Sequence, residues 1–167
     1  MDNGKYNHYE YCEAIARKLK PIKHTEEKKK FFQATEQDEL EDLNERLSEC
    51  TGILFIAIDG TESLFDWKNS DSLMEQPTYL FAIIQQTESG NSQTIFNAQQ
   101  NCKQIAIQVI AHMMQDYHNY KKGMDLLDPS SFQMKGFGPI RNDFYGVLVS
   151  FSFDQGTNYE INQDLWD

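Results

Sequence analysis

The chain has 167 residues, 40% of them hydrophobic and 25% charged, with a formal net charge of −11. These proportions exclude wholesale disorder, and the length suits one hydrophobic core. The negative balance excludes a broad nucleic-acid-binding surface, because a phosphate lattice would repel it; no segment approaches the roughly 20 apolar residues that a spanning helix needs.

The charge is unevenly placed. Residues 1–35 carry eight basic and five acidic groups, while residues 36–50 carry seven acids and only Arg46. The basic part includes Lys28, Lys29 and Lys30. Such a stretch reads as a solvated connector or as a cationic arm that docks on an acidic neighbour. Cys12, Cys50 and Cys102 are an odd, widely spaced set with no CxxC pair. They predict free thiols and a reducing compartment. The N-terminal MDNGKYNHYEY lacks the apolar run of a secretory signal, so the reading is a soluble chain made in a cytoplasm.

In chain order, residues 6–20 predict a first helix with Tyr9, Cys12, Ile15, Ala16 and Leu19 as its stripe. Pro21 ends it. Residues 24–35 are polar and read as partly helical. Residues 36–49 predict a second, acidic helix with a narrow stripe of Leu40, Leu43 and Leu47. Gly52 to Ile58 is a continuous apolar run, the mark of a strand covered on both faces. Asp59-Gly60 reads as a turn, followed by a loop over residues 60–77. Thr78 to Gln86 is a second strand, again apolar on both faces.

Thr94 to about Asn119 is the strongest element. Ile95, Ala98, Cys102, Ile105, Ala106, Val109, Ile110, Met113 and Tyr117 step by three or four and form one stripe. Thr94 or Ser92 is the expected cap. Phe132 to Phe137 predicts a short strand broken by Gly136, Gly138 and Pro139. Tyr145 to Phe153 alternates, as a half-buried antiparallel strand does. The expected fold class is α+β: a four-stranded, mainly antiparallel sheet with the long helix packed on one face and helices at the N-terminus. The expected organisation is a helical arm over 1–49, a core over 50–155 and a tail over 156–167. One helix covers one face only, so the N-terminal helices or a neighbouring chain must cover the other.

Chemistry is sparse. His112 and His118 are six apart, which is not the same-face spacing of a helical metal pair. No HExxH, GxSxG, P-loop or GxGxxG occurs. Asp59, after an apolar strand, is the best single carboxylate, and its ordinary meaning is a turn residue. The reading is therefore no catalytic residue, no cofactor and no metal. The segment 60–77 is more telling. It carries Leu64, Phe65, Trp67, Leu73 and Met74, side chains that binding surfaces use, or that fold back to cap the core. Leu64, Phe65, Trp67 and Met74, with Lys28, Lys29, Lys30 and Trp166, are the expected protein-interface residues.

The order of elements resembles the tail-terminator and neck (head–tail joining) proteins of tailed bacteriophages. The likeness rests on the strand Gly52–Ile58 closing on Asp59-Gly60, the strand Thr78–Gln86, the helix Thr94–Asn119 and the closing run GVLVSFSF. It is topological and covers about residues 50–155. The acidic helix 36–49 and the long segment 60–77 depart from the shortest members. The resemblance implies a structural virion protein, assembled in the bacterial host cytoplasm, that forms a sixfold or twelvefold ring joining portal to tail. The implied partners are copies of itself and other neck, portal or tail proteins, with DNA at most passing through the channel. A heterologous contact, patch to unlike patch, closes into such a ring when the rotation fits. The basic N-terminal part and the acidic 36–49 are candidate partners in that contact. The alternative reading is a small acidic cytoplasmic adaptor or inhibitor that binds a basic partner.

Overall fold

The computed structural model describes residues 5–35, 39–69, 72–88, 90–157 and 160–166. Its elements run α1 (His8–Lys18), β1 (Phe31–Ala34), α2 (Glu39–Arg46), β2 (Ile53–Asn69), β3 (Ser72–Gln86), α3 (Ser92–His118), β4 (Gln133–Ile140), β5 (Phe144–Ser152) and β6 (Gln155–Gly156). The protein is a mixed α+β fold with a long helix packed on a mixed sheet.

Among the described residues the sheet has six strands rather than the four expected. Its order is β1-β2-β3-β5-β4, with β6 pairing on β3. Among the described strands only β1 runs parallel to its neighbour, placing Phe31 opposite Phe55 and Ala34 opposite Ile58. This corrects the partly helical reading of 24–35. Phe31, Phe32 and Ala34 are buried and Gln33 is exposed. The Lys30 carbonyl accepts from the Phe55 amide at 2.9 Å. The four residues gain their strand from β2, not from local propensity.

The central strands bury both faces, as their apolar runs require. On one face, Phe55, Ala57, Phe81, Ile83, Val147 and Val149 pack with Cys12, Ile15 and Ala16 of α1 and with Cys102, Ala106, Val109 and Met113 of α3. On the other, Leu54, Ile56, Ala82, Ile84 and Leu148 pack with Leu43 and Leu47 at and just beyond α2. The second cover therefore comes from the chain itself. The alternation expected in β5 holds, but Val147, Leu148 and Val149 are all buried, so the middle of that strand is covered on both sides.

Helix ends follow capping chemistry. The Asn91 side chain caps α3, accepting from the amides of Gln93 at 3.1 Å and Thr94 at 3.3 Å. The cap is therefore neither Ser92, which is the first residue of the helix, nor Thr94, whose hydroxyl donates to the Asn91 carbonyl at 2.8 Å. Residues 36–38 of the expected acidic helix lie outside the described residues; the helix itself is Glu39–Arg46. The strand expected to break at Gly138-Pro139 runs on to Ile140 through a register shift between Phe137 and Ile140.

Candidate protein interface

Asp59-Gly60 is not a turn. β2 continues through it to Asn69, pairs with β3 from Ser72, and a bulge between Asp59 and Ser63 absorbs the extra residues. The expected loop 60–77 is thus a β-ribbon. β1 ends opposite Ile58, so beyond that point no described strand covers the outer edge of β2. The ribbon extends past the body of the sheet.

Strand alternation gives the ribbon two faces. Phe65 stands opposite Glu75 and Trp67 opposite Leu73 on the face continuous with Tyr79 and Phe81. Leu64 stands opposite Gln76 and Met74 opposite Asp66 on the other. Leu64 is 65% exposed, Phe65 61% and Trp67 54%. Large apolar side chains in this state are normal singly and informative when grouped. Here the two faces of one ribbon carry them together. Met74, also expected at the surface, is only half-buried.

The ribbon is held firmly at its base. The Glu75 carboxylate accepts from Ser63 Oγ at 2.8 Å, Thr157 Oγ1 at 2.9 Å and Gln155 Nε2 at 3.3 Å. These donors, Ser63 first, hold its pKa below the ordinary carboxylate value. β6 adds a third strand there, with Met74 opposite Gly156 and Glu75 opposite Gln155. Only the stretch beyond this clamp, toward Trp67 and Leu73, stands as a two-stranded ribbon among the described residues.

The basic segment lies at the opposite end of the sheet, where β1 and β2 begin. Lys28 and Lys29 are exposed. Lys29 Nζ sits over the Phe32 ring at 5.5 Å, with Arg46 over the same ring at 5.8 Å. Lys30 is half-buried and bonds the Thr51 carbonyl, so it serves the fold and is withdrawn from the expected interface set. Lys29 and Arg46 thus share the Phe32 ring within one chain, a contact of two bases that involves none of the acids of 36–49. Trp166 is 70% exposed, near Leu165 at 79% and Ile161 at 66%.

Three polar clusters bring titratable side chains together. The ligand atoms of Glu13, His24 and Glu26 lie within 4.8 Å of one another. Arg17 Nη2 reaches both Glu13 Oε1 and Glu26 Oε1 at 2.5 Å, so the two carboxylates already share one guanidinium. His24 Nδ1 accepts from the Lys30 amide at 3.1 Å. The ring proton of neutral His24 is then on Nε2, 3.6 Å from Glu13 Oε1. A metal on Nε2 would have to displace that proton and compete with Arg17. The cluster is an ion-pair network.

Asp116 accepts from Tyr11 Oη and Lys121 Nζ, both at 2.8 Å, and lies 3.4 Å from His112 Nδ1. Burial pushes the Asp116 carboxyl upward, and the Lys121 and Tyr11 bonds outweigh it, leaving a lowered pKa. His118 does not share this group; its Nδ1 lies 2.6 Å from the Met114 carbonyl. This network fastens α1 to the end of α3.

The third cluster is buried. His8 is 3% exposed. Its Nε2–H donates to the Leu80 carbonyl at 2.7 Å, and its Nδ1 accepts from Tyr6 Oη at 3.0 Å. Burial lowers its pKa to about 4. Asp59 is near enough to oppose that shift electrostatically, so this carboxylate belongs to the surroundings of a structural histidine. No pattern in the sequence singled out His8 or Glu75. Their partners lie 72 and 82 residues away.

Compared with known proteins, the chain matches no family model, no curated protein and no solved structure.

Proposed function

We propose that this protein is a structural subunit that assembles with copies of itself into a ring in the neck or tail connector of a tailed bacteriophage, and that it works by packing rather than catalysis. The observation that carries this reading is the ribbon of β2 and β3. It leaves Leu64, Phe65 and Trp67 more than half exposed on two faces, anchored at the base by Glu75. A flexible loop would lose much of its contact energy in ordering on association; a preformed ribbon loses less. The order of strands and long helix that motivates the family likeness supports the same reading.

Mass photometry of the purified protein, followed by electron cryomicroscopy of any assembly, tests it. The expected result is a closed oligomer that Phe65→Ser/Trp67→Ser converts to monomer without loss of helical signal. A wild-type protein that stays monomeric at tens of micromolar and joins no virion particle overturns the reading.

A further inference from the structure

The ribbon has an open edge, and so has the other side of the sheet. Beyond Ile58 no described strand lies outside β2. At the opposite side β4 is the last strand, and no described strand lies beyond it. Edges of this kind offer backbone N–H and C=O groups to another chain.

Which groups each edge offers follows from the ladders inside the sheet. The carbonyls of Leu73 and Pro77 accept from the Thr157 and Phe153 amides, both at 3.2 Å. Odd-numbered residues of β3 therefore turn their backbone groups toward β6 and β5, while Met74 and Gln76 turn theirs toward β2. The partners of those two on β2 are Asp66 and Leu64. Ser63, Phe65 and Trp67 alternate with them and direct their backbone groups to the outer side. In β5, the Ser152 carbonyl accepts from the Asp128 amide at 3.0 Å, and its amide donates to Ser131 Oγ at 2.8 Å, both on the β4 side. Ser150, Leu148 and Gly146 point the same way and meet Gln133, Lys135 and Phe137. Met134 and Gly136 are left facing outward. Pro139 and the register shift after Phe137 blunt the rest of that edge.

The two edges fit one another in a single register. An antiparallel partner sets outward residues against outward residues. With Phe65 opposite Gly136 of a second copy, Trp67 meets Met134, Asp66 meets Lys135 and Leu64 meets Phe137. An aromatic ring then fills the space beside an edge glycine, and a thioether lies against an indole. On the other face a carboxylate stands opposite an exposed lysine, and leucine opposite phenylalanine. A shift of two residues sets Leu64 against Lys135 or Asp66 against Phe137, and both of those pairs are lost. Met134 packs against the core on the α3 side, and Phe65 and Trp67 lie on the face that continues to Phe81 of the same core. The two sheets therefore join with their long helices on one side.

We infer that the outer edge of the ribbon in one copy adds to β4 of the next copy, antiparallel to it, with residues 64–67 of the first against residues 134–137 of the second. The contact is heterologous, each copy giving a ribbon edge and receiving one on β4, so it propagates in one sense around a ring. This inference rests on the ring reading above.

The test mixes Asp66→Cys copies with Lys135→Cys copies under mild oxidation. Both carry Cys50→Ser, because Cys12 and Cys102 are buried and Cys50 is not. The two positions face each other without hydrogen bonds between them, a spacing that admits a cross-strand disulfide. The expected product is a disulfide-linked pair that neither variant forms alone. A chain with both cysteines gives a covalent ladder of multimers, and Asp66→Cys with Gln133→Cys links far less. In parallel, Gly136→Pro removes an outward N–H and spares the bonds to β5. The Gln99 amide, 3.1 Å from an added carbon there, is the flexible end of a side chain. This variant keeps its helical signal and weakens self-association about tenfold. An assembly that forms no Asp66→Cys to Lys135→Cys link overturns the inference, whatever Gly136→Pro does, and leaves the ring reading standing; ribbon paired with ribbon is one such outcome. A strict monomer overturns both.

Discussion

The Tyr6 hydroxyl donates to Nδ1 of His8 at 3.0 Å, which leaves Nε2 as the only ring nitrogen to carry a proton. The imidazole is therefore held neutral in one tautomer. Its pKa falls from 6.5 to about 4 on folding, chiefly through burial. The unfolded chain thus binds the proton first as pH drops. Stability from this group is complete above pH 6.5 and is lost progressively down to about 4. Between pH 7.5 and 5.5 the loss is roughly 1.3 kcal/mol. Urea unfolding at the two pH values checks this. In His8→Gln that component disappears, on top of a lower stability at pH 7.5.

Glu75 predicts a local effect. Glu75→Gln keeps the shape of the side chain and removes the charge that Ser63, Thr157 and Gln155 bond to. The global unfolding midpoint changes little. Hydrogen exchange at 62–76 and 155–157 accelerates about fivefold, because each weakened bond is worth on the order of 1 kcal/mol. Uniform exchange across the sheet would contradict this clamp.

Leu47 tests the second cover of the sheet. It is fully buried with Leu43 against Leu54 and Ile56. Leu47→Ala costs about 3 kcal/mol in chemical denaturation. A cost under 1 kcal/mol would mean that another surface covers that face.

Gly146 sits in β5 where a Cβ would overlap the Ile83 carbonyl and crowd the Ile84 backbone on the neighbouring strand. Gly146→Ala forces two sheet strands apart and costs about 3 kcal/mol or more. Gly90, by contrast, has open space around the added carbon, though its φ of +76 still disfavours alanine. The expected order of damage is Gly146 well above Gly90, read from unfolding midpoints.

The elements that could be read from the sequence are those whose signal is internal. The stripe from Ala98 to Met113 needs no partner to be seen, and Ile53 to Ile58 announces its double burial by composition alone. β1 could not be read that way. Phe31 and Phe32 follow three lysines, and their strand exists only because β2 lies beside them. The ribbon was hidden by Asp59-Gly60, a local turn signal that long-range pairing overrides. At the proposed interface, the exposure of Leu64, Phe65 and Trp67 agrees with their residue types. Lys30 does not, because a flexible cation within reach of the Thr51 carbonyl becomes part of the fold.

The bulge in β2 has an arithmetic consequence. Between the pairs Asp59–Tyr79 and Ser63–Pro77, β2 advances four residues while β3 advances two. The surplus is even, so side-chain parity is conserved and Trp67 stays on the same side as Phe55. Deleting Thr61 alone makes the surplus odd. Every residue from Ser63 to Trp67 then swaps sides, presenting Leu64 where Phe65 and Trp67 had been. Deleting two residues removes the surplus and keeps the original side. A protein in which the one-residue deletion is inert and the two-residue deletion is harmful would show that sidedness beyond Asp59 does not matter.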